Sequence, residues 1–214
     1  MTMPPAFRTP AAPATAETEV RRSRFLARLE PAETEADARA VIQAMRAAHP
    51  RARHRCTAFI VGEAPVIERS SDDGEPSGTA GRPILDVLHA AGLGRVVCVV
   101  TRYFGGVLLG TGGLARAYGD AADAAIAAAR LVTMRWRDVI AVTVDYADVP
   151  AVQALAARRG WREVAADWAE RATLRLALAG EEPSEASAGL ADATAGRARV
   201  VPDGTRLVAD APDR

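Results

Sequence analysis

Two periodicities alternate along the chain. Arg24 to Leu29 (RFLARL) alternates apolar and polar positions and predicts a strand. From Thr34 to His49, the residues Ala36, Ala40, Val41, Ala44, Met45 and Ala48 fall on one helical stripe, with Thr34 as N-cap, Asp37 three residues on, and Pro50 as the stop. His54 to Val61 (HRCTAFIV) returns to a strand that puts His54, Cys56, Ala58 and Ile60 on one face, and Glu63 to Arg69 can hold a short edge strand. Ser70 to Arg82 (SSDDGEPSGTAGR) breaks both patterns and predicts a loop with a built-in shape. Pro83 suits the first position of a helix through Ile84, Leu85, Val87, Leu88 and Ala91, which ends at Gly92 and Gly94. The unbroken apolar run in Arg95 to Thr101 (RVVCVVT) predicts a strand covered on both faces. A second glycine-rich loop, Arg102 to Gly113, leads into an Ala-rich helix from Leu114 to Ala129.

The pattern changes character over Arg130 to Arg137, a candidate domain boundary. Beyond it, Asp138 to Tyr146 predicts a strand, and Val149 to Arg159 a helix capped by Asp148 and closed by Gly160. Trp161 to Ala166 and Arg171 to Ala179 predict two more strands, Pro183 to Ala195 a weak helix, and Thr205 to Ala209 a last short strand. This βαββαβ order is the ferredoxin-like pattern. The expected organisation is a disordered Pro-rich tail over residues 1–18, a first domain over 19–131 and a second over 132–214.

Composition narrows the function without naming it. Of the 214 residues, 49% are hydrophobic and 25% charged, ordinary for a soluble protein. Lys+Arg and Asp+Glu are equal at 27 each, so no global field draws the protein to nucleic acid or an anionic membrane, and any such contact must be local. Every basic residue among them is Arg. Cys56 and Cys98 lie in no CxxC or secreted framework, and no segment approaches a membrane span, so a reduced cytoplasmic setting is expected.

The candidate chemistry sits in the two glycine-rich loops. If Gly81 opens one helix and Gly112 and Gly113 another, each start offers unpaired N–H groups and the positive end of a helix dipole. Arg82, Arg102 and Arg116 lie in or beside these loops and can clamp a phosphate or carboxylate. The expected surface comprises Asp72, Asp73, Gly74, Glu75, Gly81, Arg82, Arg102, Tyr103, Gly105, Gly106, Gly110, Gly112, Gly113 and Arg116, with His54 beside it; Tyr103 and Phe104 can stack a base or cap the core. The competing reading gives the glycines to tight turns and pairs the arginines with Asp72, Asp73 and Glu75. His54 and Cys56, two apart on one strand, can form a nucleophile with its base, but a cysteine in an apolar strand is more simply core. His54 also belongs to a basic cluster with Arg51, Arg53 and Arg55, usable on RNA phosphates. Neither a metal nor a cofactor is expected, because the histidines and cysteines lack ligand spacing.

Three pieces of sequence, VRRSRFLARL, ARHRCTAF and above all SDDGEPSGTAGRPIL with TRYFGGVLLGTGGLARAYGDA, resemble the YigZ/IMPACT family, over Glu19 to Ala129. The resemblance implies an α+β protein with a ribosomal protein S5 domain 2-like first domain and, as in bacterial members, a ferredoxin-like second domain. Eukaryotic members, by the same resemblance, regulate translation initiation by competing for a protein that activates an initiation-factor kinase.

Two function classes follow. One is a non-enzymatic, translation-linked protein that binds RNA, the ribosome or a protein partner through the loops. The other is an enzyme or binding protein for a small phosphorylated substrate or nucleotide, with the loops as an anion cradle. For the second, GVLLGTGGLA loosely resembles the phosphate loop of small-molecule kinases, yet it lacks their paired Ser, the chain has no Lys, and Asp72 or Asp73 would have to hold Mg²⁺.

Overall fold

The computed structural model describes residues 5–63 and 66–210, which form two compact units, Phe7–Thr133 and Met134–Asp210. In the first, β1 (Phe7–Pro10), β2 (Ala14–Val20) and β3 (Ser23–Pro31) precede α1 (Glu35–Ala48). β4 (His54–Val61), β5 (Ile67–Ser71), α2 (Gly81–Ala90), β6 (Val96–Tyr103) and α3 (Gly110–Ala128) follow. Their sheet is antiparallel throughout, in the order β2-β3-β6-β4-β5.

The unbroken apolar run of β6 is explained by its central place between β3 and β4, with a core on each side. Val96, Cys98 and Val100 face α2 and α3 beside Phe25, Leu29, Cys56, Ile84, Leu88 and Tyr118, while Val97 and Val99 face α1 beside Ala38, Met45, Phe59 and Val61. Phe25 and Tyr118, both fully buried, meet edge-to-face at 5.2 Å, a contact worth about 0.5–1.5 kcal/mol beyond its burial. α1 opens on the expected cap. The Thr34 hydroxyl accepts from the Asp37 N–H, the Asp37 carboxylate accepts from the Thr34 N–H at 2.9 Å, and Thr34's donors hold the Asp37 pKa low.

The N-terminal stretch is a correction. Where a disordered tail over residues 1–18 was expected, Phe7–Pro10 and Ala14–Val20 are strands; the first four residues lie outside the described ones. β1 is fixed to the turn before β6: the Arg8 N–H donates to the Gly92 carbonyl at 2.9 Å, the Gly94 N–H to the Arg8 carbonyl at 2.9 Å, and the Thr9 hydroxyl to the Arg95 carbonyl at 3.0 Å. β2 pairs with β3 along its whole length through a two-residue turn, Arg21-Arg22.

β7 (Leu131–Val144) replaces the expected boundary segment; it starts in the last three residues of the first unit, runs on in the second, and continues through a 3₁₀ turn (Tyr146–Asp148) into α4 (Val149–Arg159). β8 (Arg162–Trp168), β9 (Ala172–Ala177), α5 (Pro183–Ala193) and β10 (Arg199–Ala209) complete the expected βαββαβ order. The pairings β10-β7-β9-β8 are all antiparallel, with the first and last strands of the motif side by side. Ile140, Val142, Leu174 and Leu176 pack beneath Val152, Leu155 and Leu190 of the two helices. Gly160 ends α4 at φ +70°, as its C-cap role requires. Asp148 does not cap α4; its carboxylate instead takes both ends of the Arg197 guanidinium at 2.9 and 2.6 Å, and that pairing depresses its pKa.

Candidate functional site

The acidic loop folds around its own carboxylate. Asp72 accepts from the backbone N–H groups of Ala80 at 3.0 Å and Gly81 at 2.8 Å through one oxygen, and of Gly78 at 2.8 Å through the other. Burial pushes the Asp72 pKa up, but these three donors outweigh it and hold the group below its ordinary value. α2 begins at Gly81 rather than Pro83, and the anion at its positive end is supplied by the chain itself. Gly81 is required for another reason: a Cβ there would lie 2.6 Å from the Ser71 backbone nitrogen. Arg82 points outward to Asp86 at 2.7 Å, an exposed pair of small energetic weight.

Asp72→Ala should destabilise the protein by about 1–2 kcal/mol at neutral pH, as loss of a helix cap does. Because the folded-state pKa is depressed, the stabilisation is present above the unfolded-state value of about 3.9 and is lost as pH falls through the folded value. Urea denaturation at neutral and strongly acidic pH should therefore show the gap between variant and parent closing in acid.

Asp73, at φ +41°, is equally committed. Its carboxylate accepts from the Arg46 guanidinium at 2.8 Å and from the Arg55 N–H at 2.8 Å, and its carbonyl lies 2.9 Å from His54 Nδ1. Gly74, at φ +87°, turns the chain beside the His54 ring. Cys56 lies on the same strand face as His54, as expected, but it is fully buried and its thiol donates to the Asp72 carbonyl at 3.0 Å. Burial pushes the Cys56 thiol up to about 12, so it holds no thiolate near neutral pH. Neither aspartate is free to take a metal, and no group of three or more His, Cys, Asp or Glu among the described residues is arranged to hold one.

The largest revision concerns Arg102, which is not in a loop. It is the penultimate residue of β6, is 6% exposed, and donates to Glu75 at 2.7 Å, with the Glu75 side chain 4% exposed. The same Glu75 oxygen accepts from the Tyr118 hydroxyl at 2.8 Å, and burial drives the Tyr118 phenol strongly upward. The guanidinium also lies 5.6 Å from the Phe25 ring and 5.5 Å from the Phe104 ring, a cation held between two aromatic faces. Arg102 therefore ties the acidic loop to the sheet and to α3. Tyr103 is likewise occupied, its hydroxyl 3.0 Å from His49 Nδ1.

What remains open is the start of α3. The helix opens at Gly110, four residues earlier than expected, and no side chain caps it. Gly110, Thr111 and Gly112 are exposed, as is Arg116 one turn on. Gly106 and Gly110 adopt φ of +86° and +72° to turn the chain into the helix. Beside this start lies the Arg21-Arg22 turn, both side chains exposed, with Arg21 Nη1 3.5 Å from the Leu108 carbonyl. Val20, Arg21, Leu109, Gly113, Arg116 and Asp120 enclose a recess of about 170 Å³. Phe104 is 51% exposed and Leu108 81% in the same loop.

Of the residues expected to share one anionic surface, the structure thus leaves Gly106, Gly110, Gly112, Gly113 and Arg116 at the α3 start. It commits Asp72, Asp73, Gly74, Glu75, Gly81, Arg102 and His54 to internal contacts, holds Gly105 in close backbone packing, and sends Arg82 to a separate exterior pair. Sequence reasoning passed over Arg21 and Arg22. The usual signal was missing: a two-residue hairpin turn with positive φ at both positions is normally met by Asn or Gly, and here two arginines adopt +48° and +64°.

Relatives give this geometry a family. A family model described as the Impact N-terminal domain matches residues 21–126, from the Arg21-Arg22 turn into the last turn of α3, and one described as a domain of unknown function, DUF1949, matches residues 142–197. The chain is 38% identical over 191 residues to the IMPACT family member YigZ of Escherichia coli strain K12, covering 87% of this chain and 93% of that one. The chain belongs to the IMPACT family. A crystal structure of a hypothetical protein, 34% identical, matches 94% of this IMPACT chain and 98% of its own at a TM-score of 0.59. Yih1, a two-domain translational regulator, is 25% identical over 60% of this chain and 50% of its own, with a TM-score of 0.36. No described helix of this family member is long and apolar enough to cross a membrane.

Proposed function

We propose that this chain is a non-enzymatic, translation-linked member of its family that works in the cytoplasm and binds structured RNA, the ribosome's included. The binding surface is where the Arg21-Arg22 turn meets the start of α3. The observation that carries the reading is the company this helix start keeps: it is uncapped and exposed, and Arg21 and Arg116 flank its recess. Exposed N–H groups and guanidiniums suit phosphate oxygens, and Phe104 offers a face to an unpaired base. Asp120 at the recess and Glu17 and Glu19 on β2 limit the net charge, so the attraction is local, as the balanced composition demands. Binding without turnover is supported by the state of Cys56, buried and protonated, and by the internal commitments of His54, Asp72 and Asp73.

Arg21 and Arg22 provide a clean test. A non-glycine residue at positive φ is strained. Replacing both by glycine should hold or raise stability, within about 1 kcal/mol, while removing two phosphate-binding groups. In anisotropy titrations with a structured RNA or ribosomes, Arg21→Gly/Arg22→Gly should weaken binding and reduce the slope of log affinity against log salt by about 1 per arginine lost. Binding that ignores salt, or is unchanged in the double variant, would overturn this reading.

A further inference from the structure

The face of the first sheet that carries α1 is only partly covered. α1 packs over β4 and β6, and between the helix and the edge strand β5 a groove of about 350 Å³ opens, at the small end of the range for small-molecule sites. Arg39, Gln43 and Arg46 line one wall, at spacings that place them on one helix stripe. Arg55, Thr57 and Phe59 alternate along β4 as the floor, and Arg69 and Ser71, cross-strand partners of Phe59 and Thr57, form the other wall.

Four arginines therefore converge here, and the carboxylates facing them do not balance the charge. Asp73 takes Arg46 at 2.8 Å and Glu35 takes Arg39 at 2.6 Å. Among the described residues, Arg55 and Arg69 have no carboxylate on their guanidiniums. Arg55 donates from Nη2 to the His49 carbonyl at 2.5 Å, while its Nε is buried with no hydrogen-bond partner. A buried N–H left unpaired is costly, and an acceptor delivered by a ligand would relieve it. Phe59 and the half-buried Ile42 add an apolar patch to this positive lining.

We propose that this groove binds the phosphate monoester of a small organic molecule. Arg55 and Arg69 hold the dianion with the Ser71 hydroxyl as a further donor, and the organic group lies on Ile42 and Phe59. Planar guanidinium forks suit phosphate oxygens in this way. The site lies on the α1 face of the sheet, whereas the α3 start is on the opposite side, so it stands or falls independently of RNA binding.

The test is an NMR titration of the full chain with adenosine 5′-monophosphate and, separately, inorganic phosphate, following the Arg Nε–H signals. Saturable shifts of the Arg55 Nε–H are expected, with the monoester binding at least about tenfold tighter than inorganic phosphate. Arg55→Gln and Arg69→Ala should each weaken the monoester by about tenfold or more, and Arg82→Ala, outside the groove, should not. Arg69 is on an exposed edge strand, so its variant keeps the test valid if Arg55→Gln folds poorly. No saturable shift, equal affinity for the two probes, or an Arg69→Ala variant that binds like the parent would overturn the proposal.

Discussion

Arg102→Ala is expected to cost the first domain about 3–5 kcal/mol, the range seen when one member of a buried ion pair is removed. Glu75, its side chain 4% exposed, would keep a negative charge with only the Tyr118 hydroxyl to answer it. The contacts of the guanidinium with Phe25 and Phe104 would go at the same time. Chemical denaturation followed by far-UV circular dichroism and by the near-UV signal of Tyr103 and Tyr118 reads the loss, since the three tryptophans, Trp136, Trp161 and Trp168, all lie in the second unit, and a paired substitution shows its cause. In Arg102→Met/Glu75→Gln the uncompensated charge is gone, and the carbonyl of the introduced amide can still accept from Tyr118. The double variant should therefore be more stable than Arg102→Met alone, with a coupling of about 1–3 kcal/mol. Equal destabilisation in both would mean that packing, not charge, governs the site. The same geometry predicts that the folded fraction of Arg102→Met keeps the parent's salt dependence of RNA binding, because the buried guanidinium reaches no phosphate.

The contrast between Arg102 and its neighbours shows what could be read from the chain alone. β6 was legible because a central strand with cores on both faces must be apolar throughout, and α1 because Thr34, Asp37 and Pro50 mark its ends locally. α4 was legible for the same reason, through Gly160. β2 was not, since ATAETEV at the edge of a sheet carries only Ala16 and Val20 toward the core and reads as polar tail. Its register comes from the Arg21-Arg22 turn, whose residues disguise it. β10 was seen only in its last five residues because Pro202, Asp203 and Gly204 look like a stop; the strand passes them with a register shift between Pro202 and Thr205. In the candidate site, the expectation of two open helix starts was half legible. That Asp72 reaches Gly81, nine positions on, is a product of tertiary folding that no local pattern encodes; a pairing of the loop arginines with Asp72, Asp73 and Glu75 was among the expectations, and folding selects Glu75 for Arg102, 27 positions on. The glycines at the α3 start were found because their conformational demand is local.

Those glycines, alike in sequence, should respond in opposite directions to the same substitution. Gly105→Ala would place a Cβ 2.0 Å from the Arg22 carbonyl carbon and 2.4 Å from the Ser23 nitrogen, far inside any real contact and against backbone that cannot rotate away. Relief requires the β2–β3 turn to move. That turn carries Ser23, whose hydroxyl accepts from the Gly105 N–H at 3.1 Å and lies 3.5 Å from Arg102 Nη2, so the strain spreads into the buried ion pair. A loss of at least about 3 kcal/mol is expected, the upper end for overpacking with backbone displacement. Gly112→Ala meets nothing within 4 Å and sits at no positive φ, so inside a helix it should stabilise by about 0.5–1 kcal/mol. Yet Gly112 is also where an RNA phosphate would approach the exposed N–H groups, and a methyl there narrows that approach. If the helix start binds phosphate, Gly112→Ala must gain stability and lose RNA affinity together. A variant that gains stability and keeps full affinity would mean that the glycines serve the turn alone and that the arginines bind without the helix.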